Sequence, residues 1–237
     1  MASHIIKQVF SSKMMTKKDL IKLTKELDTA FNCVDHHEAL EERRGYDSGK
    51  QFPADLYQHG VQKRLLHNWL SAKPNIYTLS DLNSNFDAGM AGREWAAFLR
   101  VRSPGATVLR VHPKQRVVAP ERILCQILGS LIYNFATLVP AEFDRVPDLC
   151  RRNFEALAQG GPQGIAAGLR ILEALPPFET RSEGILCIVD ALNLAVGGGT
   201  TDGVRQLTAV LGRILSRNGG HLLFTVAERR REFTSEL

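Results

Sequence analysis

Gly184-Ile185-Leu186-Cys187-Ile188-Val189-Asp190-Ala191-Leu192-Asn193 is the stretch that decides how the rest of the chain is read. Five of the six residues from Ile185 to Asp190 are apolar, with no alternation of polar positions. A strand with one face in water alternates, so an unbroken run of this length predicts a central parallel strand covered on both faces. Turn signals bound it, Glu179 to Gly184 before and Gly197-Gly198-Gly199 after. In open α/β sheets ligands bind beyond the carboxyl ends of the strands, and Asp190 falls there. Two readings of Asp190 stand side by side. It can hold the Mg²⁺ of a bound nucleotide, or it can cap the turn after a buried strand, a role worth about 1 kcal/mol.

Outward from this strand the pattern alternates between strands and helices. Asn75 to Leu82 and Ala106 to Val111 read as strands before it, and His221 to Val226 as a strand after it. Between them, helices are expected over 91–102, over about 18 residues from Pro120, over 148–159 and 163–175 split by Gly160-Gly161-Pro162, and over 202–217. The helix from Pro120 carries Ile123, Leu124, Ile127, Leu128, Leu131, Ile132 and Phe135, an arc wide enough to predict deep burial. Upstream, residues 1 to about 15 have no pattern and are expected to fray. Thr16-Lys17-Lys18-Asp19 has the form of a capping box, and Leu20, Leu23, Leu27 and Phe31 repeat at helical spacing, predicting a helix over 17–42. Arg43 to Pro53 reads as a linker, followed by a helix over 54–71. Strands alternating with helices predict an α/β fold with a three-layer parallel sheet of about four strands. The domain organisation expected is an N-terminal helical segment and linker over 1–50 and the sheet domain over 51–237.

Composition narrows the function classes. The 237 residues are 44% apolar and 23% charged, ordinary for a globular protein able to bury a sizeable core. No run approaches the roughly 18 apolar residues of a membrane span, and the first thirty residues lack the apolar core of a signal peptide. The four cysteines show no C-x-x-C spacing, and Cys125 and Cys187 lie in apolar runs, which suits a reducing, intracellular and cytoplasmic setting. The net charge of +5 is dispersed. Its densest groups, Arg110 with Lys114 and Arg116 and then Arg229-Arg230-Arg231, carry no interleaved aromatics for stacking on bases. Nucleic acid is therefore not the expected partner. Adjacent His36 and His37 point about 100° apart on a helix, unlike an i, i+4 metal pair, and His112 reads as a satisfied or exposed histidine. Gly197-Gly198-Gly199-Thr200-Thr201 could cradle an anion, but it reads better as a flexible connection.

A phosphate-binding loop, G-x-x-x-x-G-K-[ST], belongs between the first strand and its helix. Ser84-Asn85-Phe86-Asp87-Ala88-Gly89-Met90-Ala91 stands there. Gly89 fills the second glycine, Ser84 replaces the first, Met90 stands at the lysine and Ala91 at the Mg²⁺-binding hydroxyl. Asp87 adds a like charge, worth roughly 4 kcal/mol against phosphate at about 4 Å and an effective dielectric near 20. The candidate relic site is thus Ser84, Gly89, Met90, Ala91 and Asp190, with Asp190 the candidate Mg²⁺ ligand.

From about Phe52 to Val226 the chain resembles the N-terminal part of fungal STAND-type, NACHT-like P-loop NTPase modules. The resemblance lies in Phe52-Pro53 with His67-Asn68-Trp69-Leu70, in the Leu-rich helix Ile123 to Tyr133, in Ile188-Val189-Asp190-Ala191-Leu192-Asn193-Leu194 as a Walker B segment, and in His221-Leu222-Leu223-Phe224-Thr225 as the next strand. It implies a nucleotide-switched signalling module with sheet order 5-1-4-3-2. This chain supplies four strands and ends 11 residues after Val226, so relative to the family it reads as truncated at its C-terminal side, with residues 76–82 at an open edge. Asn193 and Leu194 replace the two acids that usually follow Walker B, and Val226 with Ala227 replaces a Ser-Arg pair. The expectation is a non-catalytic interaction or signalling module with a degraded phosphate loop, working through a protein partner or self-association, with ATP or ADP and Mg²⁺ bound weakly if at all. The enzyme-class alternative is a weak ATP-binding NTPase signalling domain.

Overall fold

The computed structural model describes residues 14–31, 76–79, 91–93, 95, 96, 99, 100, 103–113, 119–179 and 184–226. In chain order its elements are β1 (Met14–Thr16), α1 (Lys17–Phe31), β2 (Ile76–Leu79), helical residues at 91–93, 95–96 and 99–100, β3 (Thr107–Val111), α2 (Pro120–Ala136), β4 (Glu142–Asp144), α3 (Arg151–Gln159), α4 (Gly161–Ala174), β5 (Ile185–Asp190), a 3-10 turn (Leu192–Ala195), α5 (Thr201–Arg217) and β6 (His221–Thr225).

All six residues of β5 are buried, as the unbroken apolar run requires. The strand lies between β6 and β3 in a parallel sheet ordered β2-β6-β5-β3, with Cys187 opposite Leu222 on one side and Leu109 on the other. In sequence rank that is first, fourth, third, second. It is the part of the 5-1-4-3-2 order that four strands can form. Alternate side chains go to opposite faces of a strand. Ile185, Cys187 and Val189 join Leu109, Val111, Leu222 and Phe224 in one core, covered by α1 to α5. Leu186 and Ile188 join Val108 and Leu223 in a second core, covered by Ala91, Ala96 and Leu99. Helices on both faces make the arrangement an α/β/α sandwich. Burying each of these aliphatic side chains contributes about 1.5–3 kcal/mol.

α2 is the helix most enclosed by the core, as its wide apolar arc predicts. Pro120 opens it, where a missing N–H costs nothing, and its packing is chiefly against α4 and α1. α1 begins at the expected capping box. The Asp19 N–H donates to Thr16 Oγ1 at 3.1 Å, and Thr16 Oγ1 donates to Asp19 Oδ2 at 2.7 Å. Those hydrogen bonds hold the Asp19 carboxyl below its ordinary value. At the other end the Phe31 ring lies on the backbone of α2 at Gly129, where a Cβ would collide with it. The Arg122 guanidinium sits over the same ring, 4.9 Å from its centroid. It donates to Ala30 O and Ala158 O, both at 3.2 Å. One cation thereby joins the last described turn of α1 to the C-terminal turn of α3, where a positive charge is favourable. The N-terminal helix shares one core with the sheet: Leu20, Leu27 and Phe31 belong to the same cluster as Cys187.

Some boundaries differ from the sequence reading. Met14 and Met15, expected to fray, pair as β1 with β4 in an antiparallel ladder that sets Met15 opposite Phe143. The Lys17 N–H extends it by donating to Ala141 O at 2.9 Å. Strands of three residues carry too little periodicity to be seen in sequence. α3 starts at Arg151, not at 148, because turns occupy 147–150. α4 starts at Gly161, so the break is made by Gly160 (φ 85°) with Gly161 (φ 70°), and Pro162 belongs to the first helical turn. The expected linker 43–53, the helix 54–71 and the continuation of α1 over 32–42 lie outside the described residues.

Phe31→Ala is expected to cost about 3–5 kcal/mol of stability, the scale of a large core truncation, measurable by urea unfolding; a loss near zero would mean α1 is dispensable. Burial pushes the thiols of Cys125 and Cys187 up to about 11 and about 12. Both should therefore stay unmodified by iodoacetamide at neutral pH in the folded protein and react on denaturation, as read by mass spectrometry.

Candidate functional site

The alternation that fills the two cores also sorts the polar residues at the carboxyl ends of the strands. Ile188 faces the smaller core, so Asp190 faces the same side, as do Arg110 and Thr225 on the neighbouring strands. Asp190 is fully buried. Arg110 reaches it diagonally across the ladder, with Nε at 2.6 Å and Nη2 at 2.5 Å from Oδ2. Thr225, directly opposite Asp190 in register, donates from Oγ1 to Oδ1 at 3.1 Å. Arg110 is itself only 10% exposed. The result is a desolvated, charge-assisted ion pair that ties β3, β5 and β6 together at one end.

Two further groups complete the site. A Cβ on Gly92 would overlap the Asp190 carboxylate, so the helical turn at 91–93 packs directly on it, and only glycine permits that approach. His112 Nδ1 lies 3.4 Å from Asp190 Oδ2, buried and with no hydrogen-bond partner among the described residues. His112 is thus a partly buried neighbour of the carboxylate. Immediately after Asp190 the chain turns at Ala191, which has φ 51° and is buried. A non-glycine residue in this region carries roughly 1–2 kcal/mol of strain, held here by the packing on both sides of the sheet.

Of the candidate site residues, Asp190 and Ala91 are brought together: Ala91 is buried in the smaller core and its neighbour Gly92 touches the carboxylate. Ser84, Gly89 and Met90 lie outside the described residues. The turn-cap reading of Asp190 is replaced by an ion pair, because its carboxylate points into the strand-end cluster. Arg110, read from sequence as part of a basic group with Lys114 and Arg116, is the partner of that pair. A charged residue inside the apolar run Thr107–Val111 was the available signal, since arginine is rarely buried unless paired. Thr225 and Gly92 carried no comparable signal.

The other described groups singled out in the sequence lie in turns. Asn193 and Leu194 stand half-buried in the 3-10 turn. The glycine loop before α5 is organised by Thr200, whose Oγ1 accepts from the Gly197 N–H at 3.1 Å and donates to Ala195 O at 2.5 Å. It is a hydrogen-bonded turn and not the loose connection expected. A Cβ on Gly198 would lie 2.8 Å from Glu121 Oε1, so a carboxylate already sits against the loop and opposes a bound anion. Among the described residues no group of three His, Cys, Asp or Glu side chains converges. Nor is any helix there long and apolar enough to cross a membrane.

No protein-family model, no curated protein and no solved structure matches the chain.

Removing one member of a buried pair leaves the other charge uncompensated, so Asp190→Asn should cost about 3–5 kcal/mol in urea unfolding, well above a lost cap. Adding Arg110→Met to that variant should restore part of the loss, since the stranded guanidinium goes with it. A cost near 1 kcal/mol with no coupling would return Asp190 to the role of a cap. Gly92→Ala should cost about 1–3 kcal/mol through overpacking against the carboxylate.

Proposed function

We propose that the chain is a non-catalytic interaction or signalling module built on a degraded P-loop NTPase-like sheet of STAND type. The observation that carries this reading is the contact between Gly92 and the Asp190 carboxylate. Gly92 directly follows Ser84–Ala91, the stretch aligned on the phosphate loop. In P-loop NTPases the hydroxyl ending that loop and the acid ending the Walker B strand hold one Mg²⁺ between them. Adjacency of 91–92 to Asp190 is the placement that alignment requires, and the strand order is compatible with it.

The same geometry speaks against catalysis. Asp190 is neutralised by Arg110, position 91 offers a methyl group in place of a hydroxyl, and position 90 offers a thioether in place of a cation. ATP or ADP with Mg²⁺ is bound weakly if at all. The rival reading, a weak ATP-binding NTPase signalling domain, would need Asp190 released from Arg110. The working partner is a protein or a second copy of this chain, in a cytoplasmic setting, and not nucleic acid or a membrane. β2 stands at one end of the described strand order, and between Asn75 and Ser80 the sequence has no Lys, Glu, Asp or Pro to discourage strand addition.

Calorimetric titration tests the nucleotide side: affinity for ATP·Mg²⁺ should be weaker than about 100 μM, or about 5.4 kcal/mol. Met90→Lys with Ala91→Ser should strengthen it if the alignment is right, whereas low-micromolar binding by the unaltered chain would defeat the proposal. Hydrogen exchange tests the partner side. Protection at 76–79 that rises with protein concentration supports self-association there; concentration-independent exchange removes β2 as the contact.

A further inference from the structure

The family resemblance implies a divalent ion at Asp190, and the residues present do not fit one. A carboxylate offers about four lone-pair directions. Here Oδ2 accepts from two nitrogens of Arg110 and Oδ1 accepts from Thr225. Mg²⁺ demands near-octahedral oxygen ligation at about 2.0–2.1 Å. Its approach to Oδ2 would set a double positive charge beside a guanidinium that is only 10% exposed. In such a desolvated place like charges repel far more strongly than in water. The helical turn at Gly92 closes the carboxylate from another side.

We propose that Arg110 is the resident counter-ion of this site: its guanidinium takes the place of the divalent metal at Asp190, so that the charge at the strand ends is balanced without metal. The proposal rests on the P-loop-like reading for the identity of the ion displaced. The role of Arg110 stands on the geometry alone. Arg110 suits the task because its charge is permanent and two nitrogens of its planar fork converge on one carboxylate oxygen, Oδ2. It also makes the charge a fixed part of the fold, present whether or not a ligand is bound. His112 adds a specific consequence. Its buried Nδ1 is 3.4 Å from the same oxygen and makes no hydrogen bond among the described residues. Taking the guanidinium away leaves an imidazole nitrogen and a carboxylate oxygen side by side, a donor pair suited to a transition-metal ion.

The test uses the full chain and Mn²⁺ alone as probe. Electron paramagnetic resonance titration should show no Asp190-dependent Mn²⁺ binding by the unaltered protein. Arg110→Ala should bind Mn²⁺ at least about tenfold more tightly, and Arg110→Ala with Asp190→Ala should lose that gain. Arg110→Lys, which keeps a charge, should not acquire it. Equal Mn²⁺ affinity in the unaltered protein and Arg110→Ala overturns the proposal. Nuclear magnetic resonance of the unaltered protein stands apart from the folding of any variant. Selective Mn²⁺ broadening of Thr225 and His112 overturns the proposal, and unchanged lines there support it. Tight, Mg²⁺-dependent ATP binding would instead defeat the functional reading, so the two failures are told apart.

Discussion

The buried ion pair between Arg110 and Asp190 is the constraint on which the strand-end architecture depends. It joins β3 to β5, and Thr225 extends the link to β6. Isolating either charge in this setting would be expensive, so the pair must form whenever the sheet forms. That fixes the register of three strands in polar chemistry on top of the apolar alternation beneath. It also fixes the helical turn at 91–93, because the carboxylate occupies the space that a side chain at position 92 would need.

A site of this kind differs in a physical way from one poised for hydrolysis. Catalytic carboxylates are held so that a lone pair or a proton remains available to the reacting group. In this protein the carboxylate is held by internal partners, and Nδ1 of the nearby His112 makes no hydrogen bond among the described residues. The strain at Ala191 accompanies the sharp exit of the chain from β5 and keeps Asp190 at the very end of the strand. The result is a buried cluster whose charges are balanced by the protein's own side chains.

Much of this was legible in the sequence. The run Ile185–Asp190, the wide arc of α2 and the capping box at Thr16 each state their structure through period or chemistry, and each formed as read. Asp190 was legible as the pivotal residue, but its partner was not. A single arginine in a strand can serve the surface or the core, and only the pairing register shows that Arg110 and Asp190 converge. Gly92 was silent because close approach between distant segments leaves no local trace. The short ladder of β1 with β4 was missed for the same reason, since Met15 and Phe143 meet across more than a hundred residues.

That long-range closure has a consequence for the newborn chain. The described part of α1 runs to Phe31, and among the described residues the surfaces that cover its apolar stripe belong to α2 and α3, ending at Ala136 and Gln159. At a synthesis rate of roughly 5–20 residues per second, the helix waits on the order of ten seconds before its partners have left the ribosome. During that interval none of the described residues that cover Leu20, Leu27 and Phe31 from α2 and α3 has been made, and the capping box can define where the helix starts but cannot bury it. The apolar stripe of α1 therefore waits long in the reach of chaperones and of aggregation, although in the finished protein Leu20, Leu27 and Phe31 are buried.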